Sequence, residues 1–286
     1  MACSKVVSCG AVACWGVFRG KLASLLGLYG DYFSSIYAYR EYLKQSVARD
    51  LRKQYKRSVL GYLWSMLHPL LMMAILAVVF SKIMGRPAKD YAVFLFSGML
   101  PWRYFSGTAI GCLGTVRAHA KIMDHVPIPR YIFPTSTAFS RLIDFLLTLF
   151  PFFVVALAVG KPIYLTALAL PLVLLPLFMV AMGVALLFAV ANVFFDDTQH
   201  LATVLMQALY FLCPVLYSRD RLPEWLVDWL LLNPVFSIIE HSRDILFHGV
   251  MPDPLSYAWV FCSSALFLGF GLWVFKKSES KFLYFI

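Results

Sequence analysis

Apolar and polar residues in this chain are grouped in long blocks. Residues 59 to 81, VLGYLWSMLHPLLMMAILAVVFS, carry no formal charge, and about 20 apolar residues rising ~1.5 Å each suffice to cross a bilayer core of ~30 Å. Five further blocks of similar character lie at approximately 91 to 114, 134 to 159, 171 to 194, 199 to 217 and 255 to 275. The pattern predicts an all-α integral membrane protein with six transmembrane helices between residues 58 and 275. Pro69, Pro151, Pro176 and Pro214 fall inside these blocks and predict kinks, which membrane helices tolerate where neighbours satisfy the freed carbonyls.

A different period precedes the first block. From residue 34 to 57 the apolar positions Ile36, Tyr39, Leu43, Val47, Leu51 and Tyr55 recur every three or four residues, with Arg40, Lys44, Arg52 and Lys56 between them. This predicts an amphipathic helix lying in the cytoplasmic interface of the membrane, a helix packed on a soluble partner being the alternative that needs the same stripe. It ends in a basic seam, Arg49, Arg52, Lys53, Lys56 and Arg57, which belongs in water or against anionic headgroups.

Between the fifth and sixth blocks, residues 218 to 254 follow neither pattern. Leu222 to Leu232 is apolar but would reach only about 16 Å as a helix, and Asn233-Pro234 interrupts it. Residues 235 to 247 resume a helical period while carrying Glu240, Arg243 and Asp244. The stretch predicts a re-entrant hairpin at the outer face, two flat interfacial helices being the alternative. In the hairpin reading Trp225, Trp229 and Phe236 anchor it in the outer leaflet, while Glu240 and Arg243, three apart, pair as part of an outer gate.

Composition agrees with a membrane protein: 61% of residues are hydrophobic, 16% aromatic and only 14% charged, and the mean hydropathy is +0.75. The net charge of +10 would suggest nucleic acid in a soluble protein, but here the basic residues bracket apolar spans, as topology alone requires. Sixteen Lys and Arg lie in the N-terminal segment, the 115 to 133 loop and the tail from 276 to 286, against seven in the opposite loops. That asymmetry puts both termini in the cytoplasm. Residues 1 to 33 read as an N-terminal extension. A signal-peptide reading, suggested by Lys5 ahead of a small-residue run, would place the basic seam on the wrong side.

Few residues offer chemistry. The near-miss for a phosphate loop at Gly16, Gly20, Lys21 and Leu22 lacks one spacer and the Ser or Thr that would hold magnesium. The six cysteines form no CxxC pair, and Asp196, Asp197 and His200 fit a solvated turn better than a metal site. Arg141 and Asp144, three apart within the third span, are expected to bridge one another. Arg103 lies deep enough in the second span to face the bundle or a wet cavity.

In order along the chain, RKQYKRSVLGYLWSMLHPLL, LFSGMLPW, IPRYIFP, VFFDDTQHL and NPVFSIIEHSRDILFHG resemble the type-2 ABC exporter permeases, especially those exporting O-antigen, teichoic acid and related polysaccharides. The resemblance covers about residues 35 to 275. It implies a half-transporter in the bacterial cytoplasmic membrane. Two copies of the chain form a channel for a lipid-linked polysaccharide, and two separate ABC ATPase subunits, which bind the ATP and magnesium, dock below. It also implies that the 115 to 133 loop is the ATPase-coupling element, with Arg117, Lys121, Asp124, His125 and Arg130 as contact residues. This chain departs from the family pattern in having Tyr131 where an acidic residue usually follows the Arg, and Asp196 where an Arg commonly precedes Asp197. A hydrated glycan needs aromatic faces to slide along, and Trp64, Trp102, Tyr104, Phe105, Phe139, Tyr210 and Tyr217 are the candidates. Each could equally face lipid or the interface. A drug or lipid exporter of the same superfamily is the alternative function, followed by an integral-membrane transferase, for which no converging catalytic constellation is visible.

Overall fold

The computed structural model describes residues 27–55, 60–85, 87–120 and 128–285. The chain is all-helical, with no strand among the described residues. A bent N-terminal helix runs over 27–38 (α1) and Arg40–Tyr55 (α2). Leu63–Met84 (α3), Ala88–Gly111 (α4), the single turn Thr115–Ala118 (α5), Ile132–Ala158 (α6), Leu170–Phe194 (α7) and Thr198–Leu212 (α8) follow. Two short helices, Glu224–Leu230 (α9) and Pro234–Arg243 (α10), precede the long Pro254–Ser278 (α11) and a terminal turn, Phe282–Phe285 (α12).

Among the described residues, four stretches, Leu63–Ile83, Ile132–Ala158, Leu165–Phe194 and Pro254–Lys281, are long and apolar enough to cross a membrane. The other two predicted spans differ from these for separate reasons. Helix α4 packs on α3, α6, α7 and α10 and is buried along most of its length. A helix sheathed in protein has no need of a lipid-compatible surface, so it can carry Arg103, Ser97, Ser106 and Thr108. Helix α8 is short: its 15 residues rise about 22 Å, less than a hydrocarbon core.

Pro214 explains where α8 stops. Sequence alone predicts a kink there. Instead the helix ends at Leu212, and Cys213 is extended at φ −79°, ψ 147°, the conformation that the residue before a proline prefers. By contrast, α3, α6 and α7 run through Pro69, Pro151 and Pro176 without a break.

Helices α7 and α11 form the tightest seam. A Cβ on Gly183 would lie 2.5 Å from the Phe267 carbonyl carbon and oxygen, and one on Gly271 would lie 2.5 Å from the Gly183 carbonyl oxygen. The two backbones therefore touch, as small residues allow where helices must associate without a hydrophobic drive from water. A second layer, with Tyr32, Val116, Leu186, Val193, Phe275 and Phe282 buried together, joins the N-terminal helix, the end of α7 and the C-terminal turn.

The N-terminal helix is docked on the bundle. Leu43 and Val47 are buried and α2 packs on α6, with Ser46 Oγ donating to Ser136 Oγ at 3.2 Å. The centre of its apolar stripe is covered by protein, because the start of α6 lies directly against it. Arg40, Lys44 and Arg52 remain on the outside.

Candidate functional site

The polar features of the fold fall in three tiers. In the lowest, the turn after α4 is tied to its neighbours by charge. Arg117 forms an ion pair with Asp196 and donates through Nη2 to the Val193 carbonyl at 3.0 Å. The ring of His119 stacks on Phe133 with centroids 4.8 Å apart, and its Nε2 lies 3.2 Å from Arg49 Nη2. A guanidinium can only donate, so the ring accepts there. Arg130, expected from the resemblance to reach an ATPase, is engaged within the chain. It donates to the Glu279 carbonyl, faces the Glu279 carboxylate, and its side chain is 16% exposed. Both departures from the family pattern thus have an internal partner: Asp196 pairs with Arg117, and Arg130 finds its acid at Glu279. Lys121, Asp124 and His125 lie outside the described residues.

Above this tier two polar cavities run along the α4–α6 seam. The lower, of about 710 Å³, is lined by Asp50, Lys53, Gly111, His119, Ser140 and Arg141 among others. The upper, of about 340 Å³, is lined by Arg103, Ser106, Gly107, Arg141, Asp144 and Thr148 among others. Gly111 and Arg141 border both. The expected bridge between Arg141 and Asp144 is present at 3.5 Å, and Arg103 Nη1 lies 3.0 Å from His68 Nδ1 on α3.

At the opposite end, α10 is inserted among other helices: Pro234 to Ile239 and His241 to Arg243 are all buried. Asn233 caps it by accepting from the Val235 N–H at 3.0 Å. Arg243 Nη1 donates to Glu240 Oε1 at 2.8 Å, and Nη2 donates to the Pro214 carbonyl at 2.6 Å and the Val215 carbonyl at 3.3 Å. The guanidinium lies 3.9 Å from the Phe94 ring centre. Gly98 makes room for it, since a Cβ there would lie 2.8 Å from Nη2. Burial pushes the Glu240 carboxyl above its ordinary value, against the pull of Arg243. Trp225 and Trp229 are exposed on α9, but Phe236 is fully buried. Phe236 is therefore a core residue of the fold and cannot anchor the hairpin in lipid.

The seven aromatics do not form one wall. Trp102, Tyr104 and Phe105 are buried in the chain, Trp102 against Phe105 and Tyr210 at 5.7 and 5.6 Å, and Tyr104 edge-on to Phe145. Phe139 packs on Phe178 at 5.3 Å. Tyr217 Oη donates to the Phe211 or Leu212 carbonyl, each 2.9 Å away, capping the end of α8. Trp64 is exposed.

A polar stripe on α8 was missed by the sequence reading. Thr198, Ala202 and Met206 face inward, while Gln199, Thr203 and Gln207 are exposed at successive four-residue steps, which align on one flank of a helix. Their spacing is legible in the sequence, and only their apolar setting hid it. Among the described residues no group of three His, Cys, Asp or Glu is placed to hold a metal ion.

The ABC-2 type transporter family model matches residues 41–247. The O-antigen export system permease protein RfbA of Klebsiella pneumoniae is 30% identical over 242 residues, covering 82% of this chain and 90% of that protein. RfbA of Myxococcus xanthus is 27% identical over 249 residues, 86% of this chain and 96% of that protein. The polysialic acid transport protein KpsM of Escherichia coli is 28% identical over 234 residues, 79% and 89% respectively. With four stretches among the described residues long and apolar enough to cross a membrane and the matched segment reaching from α2 into the outer hairpin, the chain is a multi-pass membrane protein that belongs to the ABC-2 type transporter family.

Proposed function

We propose that this chain is the permease subunit of an ATP-driven exporter of lipid-linked polysaccharide. It works as a homodimer with two copies of a separate ABC ATPase in the bacterial cytoplasmic membrane, with six spans and both termini on the cytoplasmic side. The substrate class rests on the functions of the relatives, two O-antigen export permeases and a polysialic acid transport protein. One observation carries the mechanism: Gln199, Thr203 and Gln207 stand exposed in a row on α8.

A row of amides and hydroxyls facing hydrocarbon is costly. Facing a second copy across a water-filled lumen it is solvated and can exchange hydrogen bonds with sugar hydroxyls. Tyr210, one turn further on, adds an aromatic edge to the same flank. One chain supplies half of such a wall, so the channel needs two. ATP and magnesium belong to the partner subunit, which docks against the turn held by Arg117 and the residues that follow it.

The test is ATP-dependent movement of a radiolabelled undecaprenyl-linked glycan into inverted vesicles holding this chain and its ATPase. Movement that stops when either subunit is omitted supports the reading. Equal movement of a labelled phospholipid or drug, with no glycan transport, overturns it.

A further inference from the structure

We infer that the upper cavity of the α4–α6 seam is a binding site for a phosphate group, carried by a lipid headgroup or present as free phosphate. The inference stands on the cavity alone and does not depend on which molecule is exported.

The lining sets the charge. Arg103 and Arg141 contribute two permanent positive charges and Asp144 one negative, so the walls carry a formal excess of one. The Arg103 guanidinium only donates, so His68 Nδ1, 3.0 Å away, is its acceptor. Asp144 is turned inward, with a side chain 17% exposed against 37% for Arg141, so the guanidinium is the group presented to the open side.

Geometry favours a tetrahedral oxyanion. Two guanidinium forks line a space of about 340 Å³, and planar forks match phosphate oxygens two at a time. The Ser106 and Thr148 hydroxyls on the same wall donate to the Trp102 and Asp144 carbonyls, so the guanidinium groups are the donors that a ligand meets. The α4 wall is bare where Arg141 lies along it. A Cβ at Gly111 would come within 3.5 Å of Arg141 Nε, and one at Gly107 within 3.8 Å of its Cδ. Larger residues at either position would narrow the space in which the guanidinium rests.

Depth strengthens whatever charge contact is made there. Arg141 is nine residues past the start of α6, about 14 Å along the helix, where a charge-assisted contact is screened less than at the surface. The lower cavity shares Gly111 and Arg141 with the upper one and is lined by Lys53 of the basic seam, so the two polar spaces adjoin at Arg141.

The experiment uses the full-length chain in phosphatidylcholine nanodiscs. One arm titrates phosphatidylglycerol, with diacylglycerol as the phosphate-free control, and counts retained lipid by native mass spectrometry. The other titrates inorganic phosphate and pyrophosphate by calorimetry. One tightly held phosphate-bearing ligand per chain is expected in at least one arm. The arm that saturates identifies the source. Arg103→Gln and Arg141→Gln should each weaken it roughly tenfold, the effect of one charge-assisted contact. Asp144→Asn should tighten it by a similar factor, a gain that misfolding cannot mimic, and Arg103→Lys, which keeps the charge and loses the fork, should recover only part of what Arg103→Gln loses. Retention of diacylglycerol equal to that of phosphatidylglycerol together with a flat calorimetric trace overturns the site. So does an affinity that Arg103→Gln and Asp144→Asn leave unchanged or move in the same direction.

Discussion

The Arg243 guanidinium reaches from the end of α10 to the Pro214 carbonyl, 2.6 Å away, and so connects the outer hairpin to the point where α8 breaks. The residues from Cys213 to Leu216 are buried and not helical, so their carbonyls need donors from elsewhere in the chain. Arg243 supplies them to Pro214 and Val215, and Tyr91 Oη donates to the Leu216 carbonyl at 2.6 Å.

Removing Arg243 should therefore cost more than removing its partner in the ion pair. Arg243→Ala leaves the Pro214 and Val215 carbonyls and the Glu240 carboxylate without their donor, an expected loss of about 3 kcal/mol or more. Glu240→Ala removes the counter-charge of a guanidinium that is 3% exposed but leaves it two carbonyl acceptors, and should cost less than Arg243→Ala. Thermal unfolding in detergent checks the order. A Glu240→Ala, Arg243→Ala double variant should recover the share of the Arg243→Ala loss due to the unpaired carboxylate and stay well below wild type, because the carbonyls stay orphaned. Equal losses in the two single variants would mean that the pair acts as a simple gate.

Glu240 also sets a dependence on pH. Its folded pKa is raised above the ordinary 4.5 because burial outweighs the pull of Arg243. The stability it contributes is present below 4.5 and is lost as pH rises through the raised value. Wild-type protein should gain stability relative to Glu240→Gln when the pH is lowered from 7 towards 4.5. Melting curves of the two proteins across that range should converge at the acid end if wild type starts the weaker.

The α7–α11 seam should tolerate no added methyl group. Gly183→Ala forces a backbone shift of α11, since the atoms in the way are main-chain carbonyl atoms of Phe267, and overpacking of this kind costs about 1–3 kcal/mol or more. Gly114→Ala, with nothing within 4 Å of the new Cβ, is the control and should express normally. The yield of monodisperse protein separates the two.

Charge reversal at the lower tier should be repairable. Arg130→Glu sets two carboxylates against each other at Glu279 and should lower export with membrane insertion intact. Adding Glu279→Arg should restore part of the loss, by roughly 1 kcal/mol of coupling in a double-mutant cycle. Strictly additive effects on export rate would assign Arg130 to contacts outside the chain.

Topology is best read at Asp228, which is exposed on α9. Ser242 sits in the same outer segment but is 1% exposed and donates to the Ser97 carbonyl at 3.1 Å, so a cysteine there would escape reagents from either side. In a background without the native thiols, Asp228→Cys should react with an impermeant maleimide added outside intact cells. Reaction only from the cytoplasmic side would invert the proposed orientation.

The sequence by itself determined the helical class, the membrane setting and the order of the elements. These follow from the lengths of uncharged runs and from periodicity, which are local properties of the chain. It also held both short-range pairs, Arg141 with Asp144 and Glu240 with Arg243, because residues three apart on a helix share a face. Tertiary structure alone decided which proline breaks its helix. Pro69, Pro151, Pro176 and Pro214 look alike in sequence, but at Pro214 a guanidinium arrives from 29 residues away to take the carbonyl of the proline itself, which the end of the helix leaves without a backbone donor. It likewise moved Phe236 from the lipid surface to the core and closed Arg130 onto Glu279, 149 residues distant. Nothing in a single stretch encodes these outcomes. The energy of a buried aromatic or a half-buried charge is set by whatever the rest of the fold brings within a few ångströms of it.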